Sequence, residues 1–321
     1  LESFQADGHA RDQWVDAKLG LDAEGRFLAL QVHSRAGMGA YLGPASTHPP
    51  TGNVGGMAGV YRTPAIHVRV EGVFTNAQPT SSYRGAGRPE ATYIIERMID
   101  IAAAELGMDR ADLRRRNMIR PDEMPYRTGF VFTYDSGDFP AVLDRTLEMA
   151  GWDTFEARRA EARARGRLRG IGIANPIEIA GGPLAKPNPE YARIEAYAER
   201  GLRLLIGSID TGQGHATSFR QILSDRLGLD PARIDVVSGD TGIVAQGTGS
   251  FGSRTSAAAG AAIDETAGRI IDELKADAAD RLEVAEVDLV FEEGRYRVAG
   301  TDRSIAFAEV LSHRETPVES E

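Results

Sequence analysis

Three short stretches carry residue types that could do chemistry. The first is Ser82-Tyr83-Arg84-Gly85-Ala86-Gly87-Arg88-Pro89-Glu90. Glycines on both sides of Ala86 let a backbone approach a ligand closely, and Pro89 suits a first helical turn. A helix N-terminus offers unpaired N–H groups and a partial positive charge, which favours anions. Arg84 and Arg88 would add cationic forks. An ordinary strand-to-helix turn with surface arginines accounts for the same residues. The second stretch, Thr211-Gly212-Gln213-Gly214-His215, sets an amide that donates and accepts between two glycines at a helix mouth. Taken alone, a plain turn suffices for it. The third is Gly247-Thr248-Gly249-Ser250-Phe251-Gly252-Ser253-Arg254-Thr255-Ser256. Its hydroxyls and guanidinium at a helix start suit phosphate or pyrophosphate. Capping by Ser253 or Thr255, with tight packing of the following alanines, explains it equally well.

Several chemistries are excluded. No Gly-Lys-Ser/Thr follows a Gly-rich loop, and Gly-x-Gly-x-x-Gly is not met in a Rossmann context, so nucleotide hydrolysis and simple NAD binding lack support. His215 is the only histidine inside a motif, and with cysteine absent it does not make a zinc site. No serine sits in a nucleophile elbow. The lack of cysteine also removes disulfides, thiolate metal sites and iron–sulfur ligation from this chain.

The elements that must position these stretches come from a loop-rich globular chain of 321 residues, 42% hydrophobic and 26% charged, with 36 glycines. A net charge of −10 without a coherent basic face argues against nucleic acid as the partner, and the Arg158–Arg169 run reads as a solvated helix face. No apolar run approaches membrane-spanning length, and the start shows no signal-peptide pattern. Alternation predicts a hairpin of Trp14–Leu21 and Phe27–Ser34 around Asp22-Ala23-Glu24-Gly25, an irregular loop to Gly59, and a strand over Ala65–Thr75. A strongly amphipathic helix follows Pro89, with Ile94, Ile95, Met98, Ile101, Ala102 and Leu106 on one face. Asp109 and Asp112 suggest a capping box for a short helix through Asn117. Loop is expected over Pro121–Thr133, helices over Pro140–Ala150 and Phe155–Arg165, and strands over Leu168–Ile179 and Tyr191–Ala198. One unit then occurs twice. Strand Leu202–Ile209 passes through a Gly-rich loop into helix Ala216–Leu227, and strand Ile234–Val237 through a longer one into a helix from Ser253 to Leu282. A hairpin over Val287–Val298 and a short helix from Phe307 complete a mixed α+β fold.

In this order the three stretches resemble the large, molybdenum-binding subunit of the xanthine dehydrogenase and aldehyde oxidase family, in particular bacterial carbon monoxide dehydrogenase large-subunit homologues. Asp7-x-His9-x-Arg11-Asp12, Asp22-Ala23-Glu24-Gly25-Arg26-Phe27 and Gly39-Ala40-Tyr41 are similar to the family as well, so the likeness covers nearly the whole chain. It implies mixed-sheet and helix molybdopterin-binding domains, with residues 1–80 the end of a first domain and 81–321 most of a second. It also implies a molybdopterin dinucleotide, in the cytosine form, and hydroxylation of an aldehyde or N-heterocycle carbon with oxygen from water. The electrons would leave to separate iron–sulfur and FAD subunits, in the cytoplasm. By this similarity Arg84, Gly85 and Ala86 lie beside the metal. Gly212, Gln213, Gly214 and His215 would hold the pterin, and Phe251, Gly252, Ser253, Arg254 and Thr255 the dinucleotide end.

Two departures bear on the substrate. Carbon monoxide dehydrogenases carry a cysteine where Gly85 stands, so copper–sulfur chemistry is not expected. Xanthine oxidases carry a bulky aromatic where Ala86 stands, so a more open pocket than that of a purine enzyme is expected. The chain starts on Leu1, ends on a charged stretch from Ser312 without a clear terminal element, and lacks the family's Phe-Gly-x-Lys and Gly-Glu segments. It therefore reads as a piece of a longer subunit, inactive without the Gly-Glu carboxylate that serves as base. A cofactor-binding scaffold without chemistry of its own, or an unrelated Gly-rich nucleotide-binding protein, are the competing expectations.

Overall fold

A computed structural model describes residues 2–52, 54–181, 189–314 and 318–320. By contact the chain forms two compact units, Leu1–Glu178 and Ile179–Glu321, where the family resemblance placed a boundary after residue 80. Helix and strand are mixed in both units, the α+β class expected.

The first unit opens with a short helix α1 (Ser3–Ala6) and the hairpin β1 (Gln13–Leu21) and β2 (Phe27–Gly39). Its turn is set by Asp22, whose Oδ1 accepts the N–H groups of Glu24 (3.1 Å) and Arg26 (2.7 Å). A one-turn helix α2 (His48–Gly52) and a 3-10 turn Val54–Ala58 lie within the stretch expected to be irregular. β3 (Ala65–Phe74) then pairs parallel to β2, giving the order β1-β2-β3. Helix α3 (Arg88–Leu106) lays Ile94, Ile95 and Ile99 against Leu30, Val32 and Tyr61 to form the core. Each such side chain contributes roughly 1.5–3 kcal/mol.

Helix α4 (Arg110–Asn117) begins at Asp109, whose carboxylate accepts from Ala111 and Asp112 N–H, while Asp112 itself gives no reciprocal cap there. The expected loop 121–133 contains a small hairpin, β4 (Tyr126–Arg127) and β5 (Thr133–Tyr134). Helices α5 (Phe139–Ala150) and α6 (Phe155–Ala164) follow, the former capped by Asp138. Within the run 158–169, Arg159 and Arg165 pair with Glu156 and Glu161 on the exposed helix face.

The strand expected over Leu168–Ile179 does not form. Residues 171–179 do alternate in exposure, and Ile173 and Ile177 pack on the core of the first unit. Their backbone finds guanidinium donors instead of a neighbouring strand, since Arg110 donates to Ile171 C=O (3.3 Å) and Arg114 to Ile173 C=O (3.4 Å). Extension was legible from alternation, but a ladder needs a partner.

The second unit holds a four-stranded sheet in the order β12-β6-β7-β8. β6 (Ala192–Tyr197) and β7 (Gly201–Ile206) are antiparallel, helix α7 (His215–Leu227) follows, and β8 (Ile234–Ser238) runs parallel to β7. The long helix expected from Ser253 to Leu282 is three pieces: a π-helical turn Thr255–Ala259, α8 (Gly260–Glu273) and α9 (Lys275–Leu282). The break at Leu274 (φ −86°, ψ −2°) lets that residue and then Ala278 and Ala279 all reach one core. An antiparallel sheet of β9 (Leu289–Glu292), β10 (Arg295–Val298) and β11 (Ser304–Ala306) and helix α10 (Phe307–Ser312) close over it. The stretch from Ser312, expected to lack an element, ends in β12 (Val318–Ser320), antiparallel to β6. Residues 315–317 and 321 of that stretch lie outside the described residues. Among the described residues no helix is long and apolar enough to cross a membrane.

Candidate functional site

In the first unit the Ser82–Glu90 stretch is a left-handed turn ahead of α3. Gly85, Ala86 and Gly87 have φ of +89°, +45° and +102°. The protein's own packing requires both glycines. A Cβ on Gly87 would lie 2.0 Å from Pro49 O, and one on Gly85 2.6 Å from Pro89 Cδ. The two arginines also differ. Arg88 is buried, its guanidinium paired with Glu178 and stacked over Phe132, so it shapes the unit and is not an open anion fork. Arg84 is exposed and has no ion-pair partner among the described residues. Arg11 clasps the turn, donating to Arg84 C=O (2.7 Å) and Glu90 Oε2 (3.0 Å) with its guanidinium 5.2 Å from the Tyr83 ring centre.

In the second unit the loops after β7 and β8 leave the same ends of two parallel neighbours and meet. Gly207 and Gly247 cross backbone to backbone, each Cβ position 2.7 Å from atoms of the other segment. Ser250 Oγ and His215 Nδ1 both donate to Ile209 C=O, at 2.5 and 3.1 Å. A carbonyl only accepts, so the Nδ1 of His215 carries hydrogen and a neutral ring keeps Nε2 as an acceptor. The ring stacks on Phe219, 5.5 Å between centres.

Asp210 organises the Gly-Gln-Gly-His turn. Its Oδ1 accepts the N–H of Gly212 (2.7 Å) and Gln213 (2.8 Å), and its Oδ2 that of His215 (2.8 Å). Such a concavity of amides is an anion site, and here the protein's own carboxylate fills it. Gln213 Oε1 accepts from the N–H (2.6 Å) and hydroxyl (3.0 Å) of Thr211, leaving the side-chain NH2 without a partner among the described residues. The backbone N–H of Gly212, followed by those of His215 and Gln213, holds the Asp210 carboxyl below the usual carboxylate range. A depressed acid stabilises the folded loop fully above its unfolded value of about 3.9 and loses that contribution as pH falls through the lower folded value. The protection factors of the Gly212, Gln213 and His215 amides should therefore be flat from neutral pH to about 4 and then fall before those of the helix α7 core do. Protection that stays constant to the pH of global unfolding would contradict this role.

Arg254 does not present its guanidinium at a helix start. It is fully buried, paired with Glu190 (2.8 Å), and donates to Gly249 C=O (3.0 Å) and Pro189 C=O (2.7 Å). The preceding Ser253 has φ of +54°, and no side chain caps the π-turn at Thr255, so neither proposed hydroxyl cap forms. Thr255 is buried, whereas Phe251 is 48% exposed. Asp210 and Glu190 were missed from sequence. An aspartate just before a Gly-rich turn was a usable signal for the first. Glu190 lies 64 residues from Arg254 and had none.

A flat, extended ligand needs bare backbone to lie on, and Gly212, Gly214 and Gly249 provide it. All three have left-handed φ (+106°, +80° and +86°), and no atom of the described residues lies within 4 Å of their Cβ positions. Unlike Gly87, these glycines face open space. The residues thus fit a molybdopterin dinucleotide in shape and in the hydrogen-bonding groups of Gln213 and His215.

Two molybdopterin cofactor-binding domain models match, one over residues 1–118 and the other over 145–320. The carbon monoxide dehydrogenase large chain of Hydrogenophaga pseudoflava is 36% identical, across 94% of this chain and 39% of its own length. Subunit gamma of the 6-hydroxypseudooxynicotine dehydrogenase complex of Paenarthrobacter nicotinovorans is 31% identical, across 98% of this chain and 40% of its own. The crystal structure of quinoline 2-oxidoreductase from Pseudomonas putida 86 superposes with a TM-score of 0.82 at 30% identity, covering 100% of this chain and 44% of that one. The chain thus spans about 40% of the length of these curated relatives. With both domain models matched and the fold shared, the chain belongs to the molybdopterin-binding domains of the xanthine dehydrogenase family.

Proposed function

We propose that this chain is the cofactor-gripping part of a molybdenum hydroxylase catalytic subunit. The observation that carries the proposal is the set of left-handed glycines, Gly212, Gly214 and Gly249, that face open space. Gly212, Gln213, Gly214 and His215 hold the pterin, with the Gln213 amide and His215 Nε2 as hydrogen-bonding edges. Phe251, Gly252, Ser253, Arg254 and Thr255 form the loop for the cytosine dinucleotide end, Arg254 acting by fixing the loop's course from inside. Arg84, Gly85 and Ala86 serve the metal and substrate end, where the exposed Arg84 guanidinium supplies positive charge. When bound, the cofactor supplies oxidative hydroxylation of an aldehyde or N-heterocycle carbon with oxygen from water, its electrons leaving to iron–sulfur and FAD subunits in the cytoplasm. The small Ala86 side chain leaves room for a substrate ring or chain.

The test uses the native polypeptide that contains these residues, purified with its partners. Metal analysis and nucleotide release on acid hydrolysis should give molybdenum and CMP in equal amounts. GMP in place of CMP would overturn the cytosine form, and absence of molybdenum would overturn the cofactor reading altogether. Gly214→Ala should cut molybdenum content at least about tenfold, the equivalent of ~1.4 kcal/mol, because its methyl occupies the ligand's space. Its thermal midpoint should fall only by the cost of one left-handed alanine, about 1 kcal/mol.

A further inference from the structure

The structure assigns a positioning role to Glu190: we propose that its carboxylate is the strut that fixes the spacing between the pterin loop and the dinucleotide loop. The inference rests on the reading of these loops as the cofactor grip. The Glu190 side chain is fully buried, and among the described residues its carboxylate contacts go to the segments that must hold still. Oε1 accepts the N–H of Tyr191 (3.0 Å), at the entry to β6. Oε2 accepts the hydroxyl of Ser208, two residues ahead of the Asp210 cap, and the Nη1 of Arg254 (2.8 Å), which closes the dinucleotide loop. The carboxylate also lies at the point where Gly207 and Gly247 cross: a Cβ on Gly207 would come 2.5 Å from Glu190 Oε1 and 2.7 Å from Gln246 O. Both loops therefore take their position from one group.

Burying a full ion pair is a poor way to add stability. Desolvation cancels much of the attraction, and an apolar pair of similar volume often does as well or better. What an apolar pair cannot do is fix direction. Arg254 points its fork at Glu190, Gly249 C=O and Pro189 C=O at once, and so sets the course of the loop that carries Phe251 to Thr255. A dinucleotide gripped at both ends senses the spacing of its two grips, and a loose spacing is read as lost affinity.

Three variants of the full native subunit, isolated with its partners, decide the matter: Glu190→Gln, the double variant Glu190→Leu with Arg254→Met, and Ser208→Ala. The readouts are molybdenum and CMP per chain, the rate at which both are lost on dilution, and the thermal midpoint of the cofactor-free protein. Glu190→Gln should lower occupancy at least tenfold and also lower the midpoint, because it leaves the guanidinium buried and unpaired. The double variant should regain the midpoint but not the cofactor. Ser208→Ala, which leaves the ion pair intact, should lose cofactor several-fold faster while its midpoint falls less than that of Glu190→Gln. If the double variant regains occupancy together with the midpoint, the pair is structural filling and the proposal is wrong. Wild-type loss rates in Ser208→Ala would overturn it as well, even if the other variants fail to fold. A wild-type protein without molybdenum or CMP would instead remove the underlying reading of the loops, a result distinct from retention by the variants.

Discussion

Replacing Arg114 by methionine should lower the unfolding free energy of the Leu1–Glu178 unit by about 3–5 kcal/mol, the usual cost of leaving one partner of a buried ion pair alone. The guanidinium is fully buried and its donors are all used: Glu96 Oε2 (2.8 Å), Asp100 Oδ1 (2.9 Å), and the carbonyls of Arg110 (3.0 Å), Glu96 (3.1 Å) and Ile173 (3.4 Å). Glu96 would keep only the Tyr61 hydroxyl (2.6 Å) against its buried charge. The extended segment after residue 168 would lose an anchor at the same time. Since domains have only about 5–15 kcal/mol to lose, the urea midpoint of this unit should drop by about a fifth or more. Adding Glu96→Gln to Arg114→Met should restore part of it; a midpoint unchanged by the single substitution would show that the buried charge is not held by this network. The same network gives an alkaline limit. Burial, and then the Glu96 charge, push the Tyr61 phenol well above its ordinary value. The neutral phenol thus favours the folded state fully below about pH 10, and that contribution is lost as pH rises further.

Gly87→Ala should damage the turn ahead of α3 far more than the size of one methyl group suggests. The new carbon would lie 2.0 Å from Pro49 O and 3.0 Å from Pro49 C, and neither backbone atom can rotate away. Left-handed strain adds about 1 kcal/mol or more at the same position. Relief requires the turn before α3 and the α2 segment to part, which moves Arg84, Gly85 and Ala86. The control is Gly107→Ala at the end of α3, also left-handed (φ +64°) but with no atom within 4 Å. That change should lower the thermal midpoint by about 2–4 °C, the effect of ~1 kcal/mol in a unit of this size. Gly87→Ala should lower it several times more and strip the native subunit of activity. Equal midpoints for the two variants would mean that the turn yields without cost.

The contrast between these glycines shows what was legible beforehand. Positions that need glycine stood out in the sequence, but the reason for each did not. Gly85 and Gly87 serve the chain's own packing, while Gly212 and Gly214 face open space, and only coordinates tell the two apart. Local signals carried further: Asp22 sets its hairpin turn, and the apolar period of α3 marked Ile94, Ile95 and Ala102 for burial, although Ile101 and Leu106 on the same expected face are exposed and the buried Ile99 was not among them. Charged groups were read poorly, because the partner of a buried arginine sits far away in sequence. By sequence Arg88 and Arg254 read as ligand forks, yet each is turned inward to a carboxylate. The alternation of Leu168–Ile179 likewise specified extension and burial, but not that arginines would replace a neighbouring strand.

The last strand carries a consequence for how the protein is made. β12 pairs with β6 so that Ser320 faces Ile194, and every residue of the intervening sheet and helices is synthesised between them. At ribosomal speeds of roughly 5–20 residues per second, β6 waits several seconds with one edge uncovered. An uncovered edge offers its N–H and C=O groups to any other extended segment, including one from a neighbouring nascent chain. The second unit is therefore most vulnerable to mispairing in the interval when its core residues are already made and Val318–Ser320 are not.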